Sequence, residues 1–205
     1  MTPPATFDLR PDLAKIALMV PSASRVLDVG CGEGDLMKVL QGQKQCDARG
    51  LEIDPEQVAR AVSRGLSVVQ GDANCDLADY PDKAFDVAIL SQTLQTAQRP
   101  DWLLDQLLRI GSEAFVSFPN FAYWRMRLSL LTGGRMPISR HLPGSWYETA
   151  NIHHLTITDF REFLAARGVR TKGCWFFAKG REIKGGPNGR AANWRAEHAV
   201  FQLSR

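Results

Sequence analysis

No stretch of this chain approaches the roughly 20 consecutive apolar residues that a membrane-spanning helix needs. Its first ten residues lack the basic, apolar, small-residue succession of a secretory leader. Both absences predict a cytoplasmic protein with no use for a membrane. The four cysteines, Cys31, Cys46, Cys75 and Cys174, form no C-x-x-C pair and none of the short spacings of a zinc site, so they read as reduced, mostly buried thiols and no metal is expected. An excess of one charge is missing too. The net charge is +3 with Lys and Arg scattered along the chain, which predicts no nucleic-acid partner. Internal repeats and low-complexity tracts are also absent.

What is present is a globular balance. With 205 residues, 44% of them hydrophobic and 23% charged, the chain can bury the core of one domain. Leu9, Leu13, Ile16, Ala17 and Val20 recur at helical spacing before Pro21, which predicts an opening helix over residues 8–20. Short β-branched or apolar runs then alternate with amphipathic ones: 25–29, 36–40, 48–53, 55–64, 66–70, 85–90, 102–110 and 114–118. Such alternation predicts βαβ units and a doubly wound α/β fold, its parallel sheet covered by helices on both faces. Asp54 followed by Pro55 is an acidic cap ahead of a first-turn proline, so the second strand ends near Glu52. After the fifth strand the alternation stops. Residues 120–156 are rich in aromatics, Arg, Gly and Pro, and a helix resumes over 158–167. Two closing strands, 169–177 and 196–203, are expected to pair antiparallel across a turn at Gly185, Gly186, Pro187, Asn188 and Gly189.

The chemistry concentrates in the first half. Val26-Leu27-Asp28-Val29-Gly30-Cys31-Gly32-Glu33-Gly34 passes from a predicted strand into a predicted helix, where a glycine turn can press its backbone against a ligand. A dinucleotide fingerprint would need a small residue at position 35. Asp35 stands there instead, at the helix start where a pyrophosphate would sit, which makes NAD the weaker reading.

S-adenosylmethionine (SAM) carries no phosphate, and this turn resembles motif I of the class I SAM-dependent methyltransferases. The resemblance continues in order through Gly50-Leu51-Glu52-Ile53-Asp54, Gln70-Gly71-Asp72-Ala73 and Phe85-Asp86-Val87-Ala88-Ile89-Leu90-Ser91-Gln92. It implies a mostly parallel seven-stranded sheet with a C-terminal antiparallel strand. It also implies a pocket for SAM or S-adenosylhomocysteine (SAH) lined by Asp28, Gly30, Cys31, Gly32, Gly34, Glu52, Ile53, Asp72, Ala73, Ser91 and Gln92. Glu52 would accept from the ribose hydroxyls, Asp72 would lie near the adenine amine, and Ser91 and Gln92 would floor the pocket.

At Ser117-Phe118-Pro119-Asn120-Phe121 the chain departs from the Asn/Asp-Pro-Pro-aromatic loop of amino-group methyltransferases. That departure weakens both amino-group methylation and a nucleic-acid substrate. The run from Phe118 to Arg125, then Gly134-Arg135-Met136-Pro137, Leu142-Pro143, Trp146-Tyr147, Asn151-Ile152-His153 and Thr158-Asp159-Phe160, resembles the MetW family of methionine-biosynthesis proteins. This narrower resemblance implies a partner, homoserine O-acyltransferase, and names no methyl acceptor. Methyl transfer to a small molecule stays open as the alternative. Any base it needed would come from Tyr147, His153 or His154, with Glu148 and Asp159 behind them and Asp159 reading as a helix N-terminal acid. The insertion's aromatics and arginines suit a lid or a partner surface, against the plainer reading of a short helix packed on the sheet.

Overall fold

The computed structural model describes residues 9–138, 144–184 and 190–205. The helix α1, Pro11–Met19, starts on a first-turn proline and leads to β1, Arg25–Val29. Then follow α2, Asp35–Lys44; β2, Asp47–Glu52; α3, Pro55–Ser63; β3, Ser67–Gln70; β4, Phe85–Ser91; α4, Pro100–Ile110; and β5, Gly111–Pro119. The expected alternation is present to within a few residues at each boundary. Asp54 caps α3 as predicted, its carboxylate accepting from Glu56 N at 2.9 Å.

The strands form one sheet in the order β3-β2-β1-β4-β5-β8-β6-β7, where β6 is Arg170–Ala178, β7 Arg181–Ile183 and β8 His198–Ser204. β1 to β5 are mutually parallel, and β8 runs antiparallel between β5 and β6. The sheet thus has eight strands where the resemblance implied seven. The closing pair is present, but no single turn joins it: β6 folds back at Lys179 and Gly180 into β7, and α7, Arg190–Arg195, precedes β8. The expected turn at 185–189 lies outside the described residues.

Each parallel strand sends neighbouring side chains to opposite faces. Val26, Val87 and Ile89 pack under α1, α2 and α3 with Ile16, Leu36, Met37, Leu40 and Ala61. Leu27, Ala88 and Leu90 pack on the other face against α4 and against α6, Ile157–Ala166. There Phe118, Phe160 and Phe201 make a tight ring cluster, with centroids 4.7 Å apart for Phe118–Phe160 and 5.0 Å for Phe160–Phe201. Both contacts are edge-on, the arrangement the ring quadrupoles favour. Asp159 is the helix N-terminal acid expected of it, closing a reciprocal cap with Thr156 on α6.

The insertion leaves β5 through Asn120, which is 2% exposed. Its amide donates to Asn193 O and Ala196 O, both at 2.9 Å, and its Oδ1 accepts from Ala122 N and Ile157 N. One side chain therefore ties together β5, the insertion, α6 and α7. Trp124 and Leu128 do lie on a helix, α5, Trp124–Gly133, yet Met126 is its one buried residue and Leu128 is largely exposed. Arg140, Leu142 and Pro143 lie outside the described residues. Among the described residues no helix is long and apolar enough to cross a membrane. The cysteines are free, but only Cys46 is buried, and Cys75 is exposed on the short turn after β3. The expectation of mostly buried thiols thus fails, because a short turn offers no second layer to cover it.

Candidate functional site

Strand order reverses between β1 and β4, and the loops leaving their carboxyl ends diverge to opposite faces. A crevice forms there for topological reasons. In this protein it is a cavity of about 800 Å³, within the size range of small-molecule sites. All the residues that the sequence nominated for the cofactor line it except Gly34. Gly34 serves the site from behind: as the residue before α2 it has φ of +80°, and a Cβ there would come within 2.3 Å of Leu66.

The β1–α2 turn is strapped to β2. Gly30 N donates to Leu51 O at 2.7 Å, and Gly30 and Gly32 both adopt positive φ, at +70° and +58°. A Cβ on Gly30 would lie 2.4 Å from Thr93 Oγ1. Glu52, 7% exposed at the end of β2, completes the strap. Its Oε2 accepts from Gly32 N at 2.8 Å, and its Oε1 accepts from Ile53 N at 2.9 Å and Asp54 N at 3.0 Å. The carboxylate thereby holds three backbone N–H groups, one in the β1–α2 turn and two just after β2, around one corner of the cavity. Beyond it Asp72 Oδ1 accepts from both Asn74 N and Asn74 Nδ2 at 2.8 Å, and Asn74 Oδ1 accepts from Gln98 N, joining the β3 loop to the loop ahead of α4.

The opposite corner is charged. Asp28, 3% exposed, has its carboxyl pushed up to about 7, first by burial. The field of Glu52 pushes the same way and the Arg10 guanidinium pulls against it. Cys31, close to both acids, has its thiol held well above its ordinary value, mainly by burial, so it is no nucleophile at neutral pH. Ser91 and Gln92 end β4. Arg10 donates to Ser91 Oγ at 3.1 Å and to Gln92 Oε1 at 3.0 Å, and Ser117 Oγ lies 3.0 Å from Ser91 Oγ. Beneath them Asp12, 1% exposed, accepts at Oδ2 from Ser117 Oγ at 3.0 Å and Ser91 Oγ at 3.3 Å.

Arg10, Asp12 and Ser117 were not among the nominated residues. One signal existed for Asp12: it stands three residues after Leu9 and four before Ile16, inside the apolar stripe of α1, where an acid is out of place. Arg10 carried no such mark.

Tyr147, His153 and His154 do not line the cavity. Tyr147 is 70% exposed and packs edge-on against Trp146. His154 packs against Phe121, and His153 borders a separate apolar hollow with Leu94, Phe160 and Phe163. The insertion reaches the cavity through Ala150, and its backbone is pinned nearby where Ile152 N and His153 N donate to Gln95 O at 3.0 Å. Asn120, in the place of the amino-group loop, spends its whole side chain on backbone partners and presents nothing to the cavity. Among the described residues no cluster of His, Cys, Asp and Glu could hold a metal.

Comparison with known proteins bears on the family and the fold. Residues 10–203 match the family described as methionine biosynthesis protein MetW. A bifunctional methionine biosynthesis protein MetXA/MetW of Rhodopirellula baltica is 34% identical over 178 residues, which are 81% of this chain and 28% of that protein. This chain thus spans under a third of that relative's length. Ajmaline N-methyltransferase of Rauvolfia serpentina is 28% identical over 95 residues, 42% of this chain and 32% of its own. Among solved structures, a SAM-dependent methyltransferase from Archaeoglobus fulgidus superposes with a TM-score of 0.70 at 16% identity, covering 94% of this chain and 91% of that one. Another from Mesorhizobium loti gives 0.69 at 19% identity, covering 98% and 100%. The fold is that of the class I methyltransferases.

Proposed function

The chain belongs to the MetW family of methionine biosynthesis proteins, and from that premise we propose that it binds SAM or SAH in the β1–β4 crevice and acts as a cytoplasmic accessory to homoserine O-acyltransferase. One observation carries the reading. The cavity has the acceptors and charges of a nucleoside and amino-acid cradle, while no His, Tyr or Lys occurs among the described residues that line it. Such a site is equipped to bind a ligand, and Tyr147, His153 and His154, the bases an acceptor would have called on, do not line it.

The residues fit the ligand. Glu52 accepts three bonds at two oxygens, and a carboxylate has about four lone-pair sites that ribose hydroxyls can share. The turn leaves no room for a side chain at Gly30, holds Gly32 at a φ of +58° that side chains rarely adopt, and brings bare backbone to the cavity wall. Asp72 and Asn74 offer polar groups for an amine at the far side.

The relative that carries MetXA and MetW in one chain supports the partner, since fusion holds two modules at high effective concentration. Leu131, Trp146 and Tyr147, which are 84%, 74% and 70% exposed, supply the apolar and aromatic anchors of such a contact. Because SAM lies downstream of methionine, ligand binding beside an early enzyme of the route would couple product level to flux.

The test is the rate of homoserine acyl transfer by the acyltransferase with and without this protein, each with and without SAM. A rate change on adding the protein, altered further by SAM, is the expected result. No change in any arm, with SAH accumulating alongside a small-molecule acceptor, would replace the accessory reading with methyl transfer.

A further inference from the structure

The net charge of +3 is unevenly placed. Two segments, 121–147 and 183–196, hold seven Lys and Arg and no acid, so they carry +7 while the rest of the chain carries −4. They stand far apart in sequence and meet in the fold. The Asn120 amide donates to Asn193 O and Ala196 O, and the Arg127 guanidinium lies 5.3 Å from the centre of the Trp194 ring. α7 is thereby tied to the start of the insertion and to α5.

The cations gathered there are not spent on neighbouring acids. Elsewhere Arg25, Arg64, Arg109 and Arg167 each pair with a carboxylate at 2.5–3.0 Å. Arg125, Arg127, Arg135 and Arg195 are exposed and pair with no carboxylate among the described residues. The acids that border the two segments in the chain, Glu148, Glu182 and Glu197, have partners of their own in Ser145 Oγ, Lys15 Nζ and Lys179 N. Apolar surface lies among the arginines. Trp124, Leu128 and Leu131 follow i, i+4 and i+7 spacing on α5, a stripe that a surface helix ordinarily buries. Here Leu128 and Leu131 are 47% and 84% exposed, and Trp194, beneath Arg127, is 50% exposed.

We propose that this α5–α7 face docks an acidic patch of the acyltransferase, its apolar stripe seating on apolar residues of that patch and its arginines meeting the carboxylates. The inference rests on the reading of the chain as an accessory to that enzyme. An apolar centre with a polar rim is the anatomy of a contact between proteins, and arginine and tryptophan are the residues that anchor one. Nucleic acid presents its charge as a phosphate backbone, which would leave the exposed leucines uncovered. Unpaired cations of one sign also speed encounter with a surface of the opposite sign, and salt screens that attraction.

The test follows the association rate of the full chain with the acyltransferase at about 0.05 M and about 0.5 M salt. The rate constant should fall by about tenfold or more between the two. Arg125→Glu with Arg195→Glu should slow association at low salt by about tenfold and flatten the salt dependence. Arg127 is left intact because its Nε donates to Ala122 O at 2.7 Å. Arg170→Glu with Arg181→Glu makes the same change in net charge on the exposed β6 and β7 positions and should alter the rate by less than about twofold. The milder pair Arg125→Gln with Arg195→Gln repeats the test should the reversal fold poorly. Equal slowing by both reversals, or none by the first, would overturn the docking face. Retention of total tRNA by the unaltered protein, lost in the first variant, would assign the face to nucleic acid and overturn it too. Failure of the unaltered protein to associate at either salt concentration would overturn the accessory reading itself, and the docking face with it.

Discussion

The two sides of the sheet's carboxyl end are built on opposite plans. Around the β1–β4 crevice the acids Asp12, Glu52 and Asp72 are tied into hydrogen bonds, and the walls are set by backbone geometry. Beyond the fifth strand in the chain, the insertion leaves Leu131, Trp146 and Tyr147 in water and carries a helix with one buried residue. The first plan suits a small polar ligand, for which a displacement of an ångström costs affinity. The second suits a large apolar surface, for which covered area and a few anchors matter more. The proposed ligand site and the proposed partner surface thus lie in separate regions, and Asn120 is the tie between the sheet and the insertion.

Breaking that tie should have the largest effect. Asn120→Ala leaves four backbone groups without their partner in a buried place and should cost about 3 kcal/mol, which for a chain of this size lowers Tm by roughly 6–12 °C. A melt within 2 °C of the unaltered protein, checked by calorimetry, would mean that the two regions stand independently.

Next in size is the double replacement Leu131→Ser and Trp146→Ser. Truncating exposed anchors should weaken acyltransferase binding by about tenfold or more, while Tm shifts by less than about 2 °C and SAH binding persists. Undiminished co-elution with the acyltransferase would move the contact off the insertion.

The smallest expected effect sharpens the electrostatics of the cavity. Because the Asp28 carboxyl lies near 7 in the folded protein against an ordinary 3.8, the native state holds a proton that the unfolded chain has released across that window. The term therefore costs stability progressively as pH rises from about 4 to about 7, and it is constant above. Asp28→Asn removes it. Without ligand, the variant should gain in Tm relative to the unaltered protein between pH 5 and pH 8; a difference that does not vary with pH would place the titration elsewhere.

The parallel half of the fold was legible in the sequence because its signals are local. Alternating runs of apolar residues mark buried strands, Asp54-Pro55 marks a helix start, and a glycine turn between strand and helix marks the crevice. The closing segment was less so. β7 has three residues and α7 has six, too short for either period to register, and their place depends on β8 inserting between β5 and β6. Tyr147, His153 and His154 were nominated by residue type, and type says nothing about which way a loop faces. Asn120 looked like a lost catalytic position and is a structural tie, a role visible only in its four backbone partners.

The sequence by itself determined the parallel layering of the sheet, the place of the cavity at the end of β1 and many of the residues that line it, since each follows from periodicity or from motifs a few residues long. Only the tertiary structure decided that Arg10 and Asp12 belong to that site, 79 to 105 residues away from the serines they meet. It alone decided, too, that the insertion's histidines do not line the cavity. Contacts across such separations are set by how α1 and the insertion pack on the finished sheet, and no local pattern encodes them.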